Sequence, residues 1–218
     1  MTKTLSHAVI RECKNPECKF RFPDTNSIDE SICCPICGSA SVKKETIDLS
    51  KDYRKKVNTK TSVQFVSILD NVRSIYNVGA IFRTAVGYGL SHVYLCGITP
   101  TPKHRKFSKT SLGAEKYINW KKSLNCIDQS KSLKDIGYQL ISIESTAGSV
   151  SLIKVQKEDL FCNKIAVIVG NEITGIDPKV ISLSDLVISI PIIGTNKSFN
   201  VTTALGIALF HLITLISI

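Results

Sequence analysis

The sequence predicts an α/β fold, a parallel sheet covered on both faces by helices, preceded by a small cysteine-rich module. Three observations predict it. Five short apolar runs alternate with helical stretches between residues 63 and 217. Those runs are apolar without polar alternation, the pattern of strands buried on both faces. Residues 1–50 instead concentrate Cys, Lys and Glu and lack long apolar runs.

The elements follow in order. Strands are expected at 63–69 (VQFVSIL), 92–96 (HVYLC), 138–143 (YQLISI), 164–169 (KIAVIV) and 186–190 (LVISI), each rich in β-branched residues and closed by Asp, Gly, Glu or Pro. Helices are expected at 77–87, 123–135, 177–184 and 200–217. The domains then read as a module over 1–50, a basic linker over 51–60 and a sheet domain over 61–218. In open parallel sheets ligands sit at the carboxyl ends of strands. Those ends carry Asp70-Asn71, Gly97, Glu144-Ser145-Thr146, Gly170-Asn171-Glu172 and Pro191, so polar groups and glycines gather there.

At 218 residues, 43% apolar and 21% charged, the chain can bury a sizeable core, and no low-complexity tract argues for disorder. The net charge is +10, with 12 basic against 8 acidic residues over 1–60 and 16 against 10 over 61–218. The excess is clustered: Lys51, Arg54, Lys55, Lys56 and Lys60 in one stretch, then Lys103, Arg105, Lys106, Lys109, Lys116, Lys121 and Lys122 in another. Such clusters attract a phosphate backbone, although a solvated basic face has the same composition. The opening residues, MTKTLSHAVIRECK, lack the apolar run of a secretory signal. From Ser198 to Ile218 there are 21 uncharged residues, but Asn200, Thr202, Thr203, Gly206, His211 and Thr214 interrupt the run and no basic flank follows. The reading is a helix buried in a core or subunit interface, with no membrane partner. Eight cysteines without a signal point to a reducing, cytoplasmic location.

Cys13-x4-Cys18 and Cys34-x2-Cys37 have the spacing of a zinc site, and Cys34-Pro35-Ile36-Cys37-Gly38 is the tight turn of a zinc knuckle. Four thiolates satisfy tetrahedral Zn²⁺ completely, so the ion is structural. Cys33 is an alternative to Cys34 but makes a poorer turn, and a disulfide pair or free thiols are the blander readings. Cys96, Cys126 and Cys162 lack ligand spacing and read as packing residues.

No G-x-G-x-x-G follows the first strand and no P-loop pattern is present, which argues against a Rossmann dehydrogenase or a P-loop NTPase. Three segments remain. Asp70 to Ala85 (DNVRSIYNVGAIFRTA) places Asn77 as a plausible helix N-cap, with Arg83 inside the helix among apolar neighbours. Ile168 to Asp177 (IVGNEITGID) puts Glu172 on a tight glycine-flanked loop. Ile188 to Val201 (ISIPIIGTNKSFNV) reads as a strand, a polar loop and a helix start. Singly, each residue has a structural explanation: a cap, an ion pair, a turn.

In this order and spacing, the three segments resemble the sequence motifs of the SpoU group of SPOUT-superfamily RNA methyltransferases, and Lys109 to Glu115 (KTSLGAE) resembles that group as well. The resemblance covers about residues 63–217. It implies a parallel sheet whose C-terminal chain forms a deep trefoil knot, a homodimer that completes the active sites, and S-adenosylmethionine as cofactor. It implies methylation of a ribose 2′-hydroxyl in tRNA or rRNA. By residue matching it puts cofactor contacts at Glu144, Gly170, Ile190 and Ser198, and catalysis at Arg83 with Asn77, Glu172 and Asn200 as polar supports. Gly170 is expected to let main chain approach the ligand closely. Phe199 stands where Leu is common, and Ile173-Thr174 separates Glu172 from Gly175; neither removes a polar group. The module at 1–50 is an addition, expected to extend the RNA-binding surface.

Three competing readings stand beside this one. A decayed scaffold would bind RNA without catalysis, which the intact Asn77, Arg83, Glu172, Ser198 and Asn200 argue against. A base methyltransferase is the second. A zinc hydrolase, the third, would need an open metal position, and His7, His92, His104 and His211 show no ligand spacing.

Overall fold

The computed structural model describes residues 6–25, 31–51 and 63–217. The chain divides into two compact units, Met1–Asn58 and Thr59–Ile218. The expected linker at 51–60, apart from Lys51, lies outside the described residues.

The N-terminal unit is a three-stranded antiparallel sheet in the order β2-β1-β3, with β1 His7–Cys13, β2 Arg21–Asp24 and β3 Ser41–Asp48. Sequence patterning missed these strands because β2 and β3 are mostly exposed and carry no apolar run. Ala8 and Val9 are, besides the thiols Cys13 and Cys34, the buried apolar residues among those described here. Burying one valine contributes roughly 1.5–3 kcal/mol, whereas ordering each residue costs about 1–2 kcal/mol of backbone entropy. Something other than apolar burial must stabilise this unit.

The second unit is built on a seven-stranded sheet in the order β6-β5-β4-β9-β7-β10-β8, with every pairing parallel. Its strands are β4 Gln64–Asp70, β5 His92–Cys96, β6 Asn119–Ser123, β7 Gln139–Ile143, β8 Val150–Ser151, β9 Lys164–Val169 and β10 Leu186–Ser189. The five expected strands are all present. The period of two along β4 explains the two cores: Phe65 and Leu69 face one layer, and Val66 and Ile68 the other. The first layer is covered by α1 Ile75–Gly87 and α5 Val201–Ser217, the second by α3 Cys126–Asp135 and α4 Pro178–Leu183. A short helix, α2 Phe107–Ser111, packs on α1 through Phe107, whose ring meets Phe82 edge-on at 5.1 Å.

Two expectations need correction. Helix α1 starts at Ile75 with Ser74 as N-cap, and the Ser74 hydroxyl accepts from the Asn77 amide. Asn77 is therefore inside the first turn, which frees its side chain for another task. The edge strands β6 and β8 and helix α2 were also not foreseen. β6 reads NWKKS, and an edge strand with solvent beside it needs no apolar run. The C-terminal run is a helix with Leu205, Ala208, Leu209 and Leu212 buried, while Phe210 on another face is 63% exposed. No helix among the described residues is long and apolar enough to cross a membrane.

Candidate functional site

A cavity of about 380 Å³ opens at the carboxyl ends of β7, β9 and β10. Its volume falls within the 300–1,000 Å³ typical of ligand pockets. Glu144, Gly170, Ile190 and Ser198 all line it, together with Glu172 and Asn200. Ile143, Val169, Ile188, Val201 and Ala204 add an apolar wall. Four segments far apart in sequence thus converge where the strand ends predicted a ligand.

One polar relay ties the three motifs together. The Glu172 carboxylate accepts from the Arg73 amide at 2.9 Å, the Ser74 amide at 3.0 Å and the Asn77 side-chain amide at 2.8 Å. It thereby satisfies donors at the start of α1, where a negative charge is also favoured by the helix dipole. Because Asn77 spends its Nδ2 on Glu172, its Oδ1 is left to accept from Asn200 Nδ2 at 3.0 Å. Asn200 Oδ1 in turn accepts from the Thr202 amide at 2.9 Å, at the start of α5. Every amide orientation follows from its neighbour. Partial burial works against ionisation of Glu172, but these hydrogen bonds outweigh it and hold its carboxyl below the ordinary glutamate value. With three donors on its two oxygens, Glu172 is a positioning residue and a poor proton acceptor.

A second network, of whose members the sequence motifs gave a role only to Glu144, holds the loops that frame the cavity. Asn71, at φ 57°, uses its Oδ1 to accept from the Ile98 amide at 3.1 Å, and its carbonyl accepts from Asn171 Nδ2 at 2.7 Å. Buried Asp70 accepts from the Asp177 amide at 2.8 Å. Glu144 Oε2 accepts from the Ile176 amide at 3.0 Å. Asn71 at positive φ directly after a buried strand was the available signal, since Asn tolerates the left-handed region.

The loop 170–175 is tight. Asn171 and Gly175 exchange main-chain hydrogen bonds of 3.0 Å, and a Cβ on Gly170 would lie 2.3 Å from the Gly175 carbonyl carbon. Glycine at 170 is demanded by this close approach of the protein's own main chain, and the residue also lines the cavity. Gly175, at φ +71°, has the Glu144 carboxylate where its own Cβ would be.

Arg83 stands apart from this group. It is exposed, does not line the cavity, and has no ion-pair or hydrogen-bond partner among the described residues. Six residues beyond Asn77 on α1, it points about 120° away round the helix. It shares a face with Tyr76, which is 69% exposed.

In the N-terminal unit the sulfur atoms of Cys13, Cys18, Cys34 and Cys37 all lie within 4.8 Å of one another. The Cys13–Cys37 and Cys18–Cys34 separations are 3.4 and 3.7 Å. Tetrahedral Zn²⁺ with bonds near 2.3 Å sets sulfurs about 3.8 Å apart, so the donors fit. The Asn15 amide points at Cys13 Sγ and the Ile36 amide at Cys34 Sγ, each at 3.4 Å, as in zinc knuckles. Lys19 and Gly38, each following the second cysteine of its pair, both take positive φ. Burial pushes the Cys13 thiol up to about 12, while hydrogen bonds from Ser39 pull Cys37 down to about 6. Four sulfurs so placed could hold a metal ion. Cys33 is exposed and outside the cluster, which leaves Cys34 as the candidate ligand.

The SpoU rRNA Methylase family matches residues 64–210. The chain belongs to that family. The resemblance drawn from the motifs is borne out, and the N-terminal unit lies outside the matched span. Among relatives of this SpoU chain, a tRNA (guanosine(18)-2′-O)-methyltransferase of Borreliella burgdorferi is 29% identical over 73% of this chain and 70% of its own. Another, from Aquifex aeolicus, is 27% identical over 72% of each. The A. aeolicus TrmH/SpoU tRNA modifying enzyme superposes with a TM-score of 0.62 at 25% identity, covering 72% of this chain and 77% of that one. An AdoMet-bound rRNA methyltransferase from Sinorhizobium meliloti shares the fold, with a TM-score of 0.62 at 23% identity over 81% of this chain and 64% of that one.

Proposed function

We propose that this SpoU-family protein transfers a methyl group from S-adenosylmethionine to a ribose 2′-hydroxyl of tRNA or rRNA. The observation that carries the reading is the convergence of Glu144, Gly170, Ile190 and Ser198 on one cavity, bounded by the Glu172–Asn77–Asn200 relay. The apolar wall suits an adenine ring, and Glu144, Ser198 and nearby main chain suit the polar parts of the cofactor. S-adenosylmethionine supplies, when bound, a methyl group activated by a positive sulfur. The 2′-hydroxyl must give up its proton, to the adjoining RNA phosphate or to solvent, as the oxygen–methyl bond replaces the sulfur–methyl bond, and the protein's task is to position that oxygen and stabilise charge developing on it. Glu172 orients Asn77, Asn77 orients Asn200, and Asn200 presents a fixed amide at the cavity. Arg83 holds the adjoining phosphate and stabilises the forming alkoxide, because a guanidinium is always charged and donates in a fork.

Arg83 is far round α1 from the cavity within one chain, so a second copy must deliver it. We infer a two-fold homodimer in which the face bearing Tyr76 and Arg83 meets the partner, so that each pocket is completed in trans. Exposed Phe210 on the adjacent α5 supports an interface there. The same reading includes the family's C-terminal trefoil knot, a structural Zn²⁺ on Cys13, Cys18, Cys34 and Cys37, and a cytoplasmic location, which eight unpaired cysteines support.

The test uses labelled cofactor and total RNA. Wild type should label RNA, and Arg83→Ala should lose about 10²–10³-fold in rate. Mixing the two impaired variants Arg83→Ala and Asn200→Ala should restore activity if the sites form in trans. Cofactor binding without transfer to any RNA would instead favour a non-catalytic RNA-binding protein. Deleting residues 1–58 should weaken RNA binding and spare cofactor binding; unchanged RNA affinity in a folded truncation would remove the proposed role of the module.

A further inference from the structure

We propose that the segment from Lys103 to Lys109 is a preformed docking surface for the RNA phosphate backbone, beside the catalytic cavity. The inference rests on the RNA-methylating reading and locates where that RNA is held. Lys103, Arg105, Lys106 and Lys109 are all exposed, and none has an ion-pair partner among the described residues. The nearest carboxylate along the chain, Glu115, is engaged by the Ser111 hydroxyl. By contrast, Arg11, Arg21, Lys44 and Lys51 of the N-terminal unit each face an acidic side chain. A cation already neutralised gains little from a phosphate, whereas four free cations crowded together repel one another until a polyanion arrives.

The segment is also held in place before any RNA binds. Just ahead of it, Lys122 Nζ donates to the carbonyls of Gly97 and Thr99, Thr99 Oγ1 donates to the Leu69 carbonyl at 3.1 Å, and the His104 amide donates to the Thr101 carbonyl at 3.0 Å. Desolvation lowers the Lys122 pKa, as expected for an amine tucked beneath a loop. At its end, Phe107 is fully buried against Phe82, and Thr110 Oγ1 donates to the Phe107 carbonyl at 2.7 Å while lying 3.4 Å from the Ile75 carbonyl of α1. Gly79 of α1 makes room for that contact, since a Cβ there would overlap Thr110. The four side chains project from a backbone fixed at both ends, so binding costs little loop entropy.

Its position fits the task. The segment lies on the connection that follows the carboxyl end of β5 at Cys96, the same sheet edge on which the cavity opens, and the Ile98 amide of that connection is bonded to Asn71. Asn71 also holds Asn171 in the loop that carries Glu172. Phosphates held at 103–109 therefore lie on the same rigid frame as the residues that place the ribose.

The experiment replaces Lys103, Arg105, Lys106 and Lys109 together by Gln in the full-length protein and measures binding of unfractionated bacterial tRNA across salt concentrations. Each phosphate contact contributes roughly 0.7–0.9 to the slope of log affinity against log salt, so the slope should flatten by roughly 3. Affinity near physiological salt should fall by about tenfold or more, with S-adenosylmethionine binding unchanged. Unchanged affinity and slope would overturn the proposal, as would loss of methylation with intact tRNA binding, which would point to a protein partner. A wild-type protein that binds tRNA through these residues yet methylates no RNA would refute the proposed function and leave this surface standing.

Discussion

The two units of this chain reach a folded state by different physics. The sheet domain buries two continuous apolar layers, with Ile68, Leu95, Ile165 and Ile168 fully inaccessible, and needs no ligand to hold them. Among its described residues the N-terminal unit has two small aliphatic side chains inside and a cluster of four thiols. The first is held by area removed from water, and the second has the donor set to be held by coordination. Metal chemistry should therefore move one unit and leave the other still, and core truncation should do the reverse.

The largest expected effect is Cys34→Ser, or removal of metal by a strong chelator. Structural Zn²⁺ contributes about 10–16 kcal/mol to comparable modules. Amide exchange should become fast across 7–13, 21–24 and 41–48 while 64–70 and 164–169 stay protected. Equal loss of protection in both units would mean that they do not fold independently. The mirror experiment is Ile168→Ala, which should cost the sheet domain about 2–5 kcal/mol and leave the cadmium or cobalt absorption of the cysteine cluster intact.

Next in size is Gly170→Val. A side chain there collides with Gly175 and Ile176, so the loop must open, and S-adenosylmethionine binding should fall more than thermal stability does. A variant that binds cofactor normally would show that the loop is less constrained than its main-chain contacts imply. The smallest effect is Glu172→Gln, expected to cost about 1 kcal/mol through the weakened cap on α1. Its pH dependence has a definite sign. The folded-state pKa lies below the ordinary value of 4.5, so the contribution is complete above that value and disappears as pH falls through the folded one. The stability gap between wild type and Glu172→Gln should accordingly close in acid; a constant gap would mean that charge is not involved.

The same contrast explains what could be read from sequence. Buried central strands announce themselves, because being covered on both faces forces an unbroken apolar run, as in KIAVIV over 164–169. Edge strand β6, reading NWKKS, meets solvent and carries no such signature. The cysteine spacing was legible because metal geometry fixes it, and the knuckle turn favoured Cys34 over Cys33 before the fold was known. At the site, individual roles were less legible than membership. Asn77 looked like a cap because it is a capping residue type near a helix start, but Ser74 takes that position and Asn77 becomes the link between Glu172 and Asn200. Such a link joins residues 95 and 123 positions apart, which no local pattern encodes. Asn71 and Asn171 stand at strand ends where a site was expected, but their fastening of the loops rests on contacts 27 and 100 positions apart. The detachment of Arg83 from the cavity in a single chain is a further fact that helix periodicity alone, without the position of the cavity, does not give.

The central claim is that the cavity at the carboxyl edge of the sheet directs a methyl group onto a sugar oxygen of RNA. The most direct measurement is alkaline hydrolysis of RNA labelled by the protein from methyl-labelled S-adenosylmethionine. A 2′-O-methyl group blocks cleavage at its 3′ phosphate, so the label is predicted in alkali-resistant dinucleotides. Label recovered only in ordinary mononucleotides, carrying a methylated base, would contradict the account.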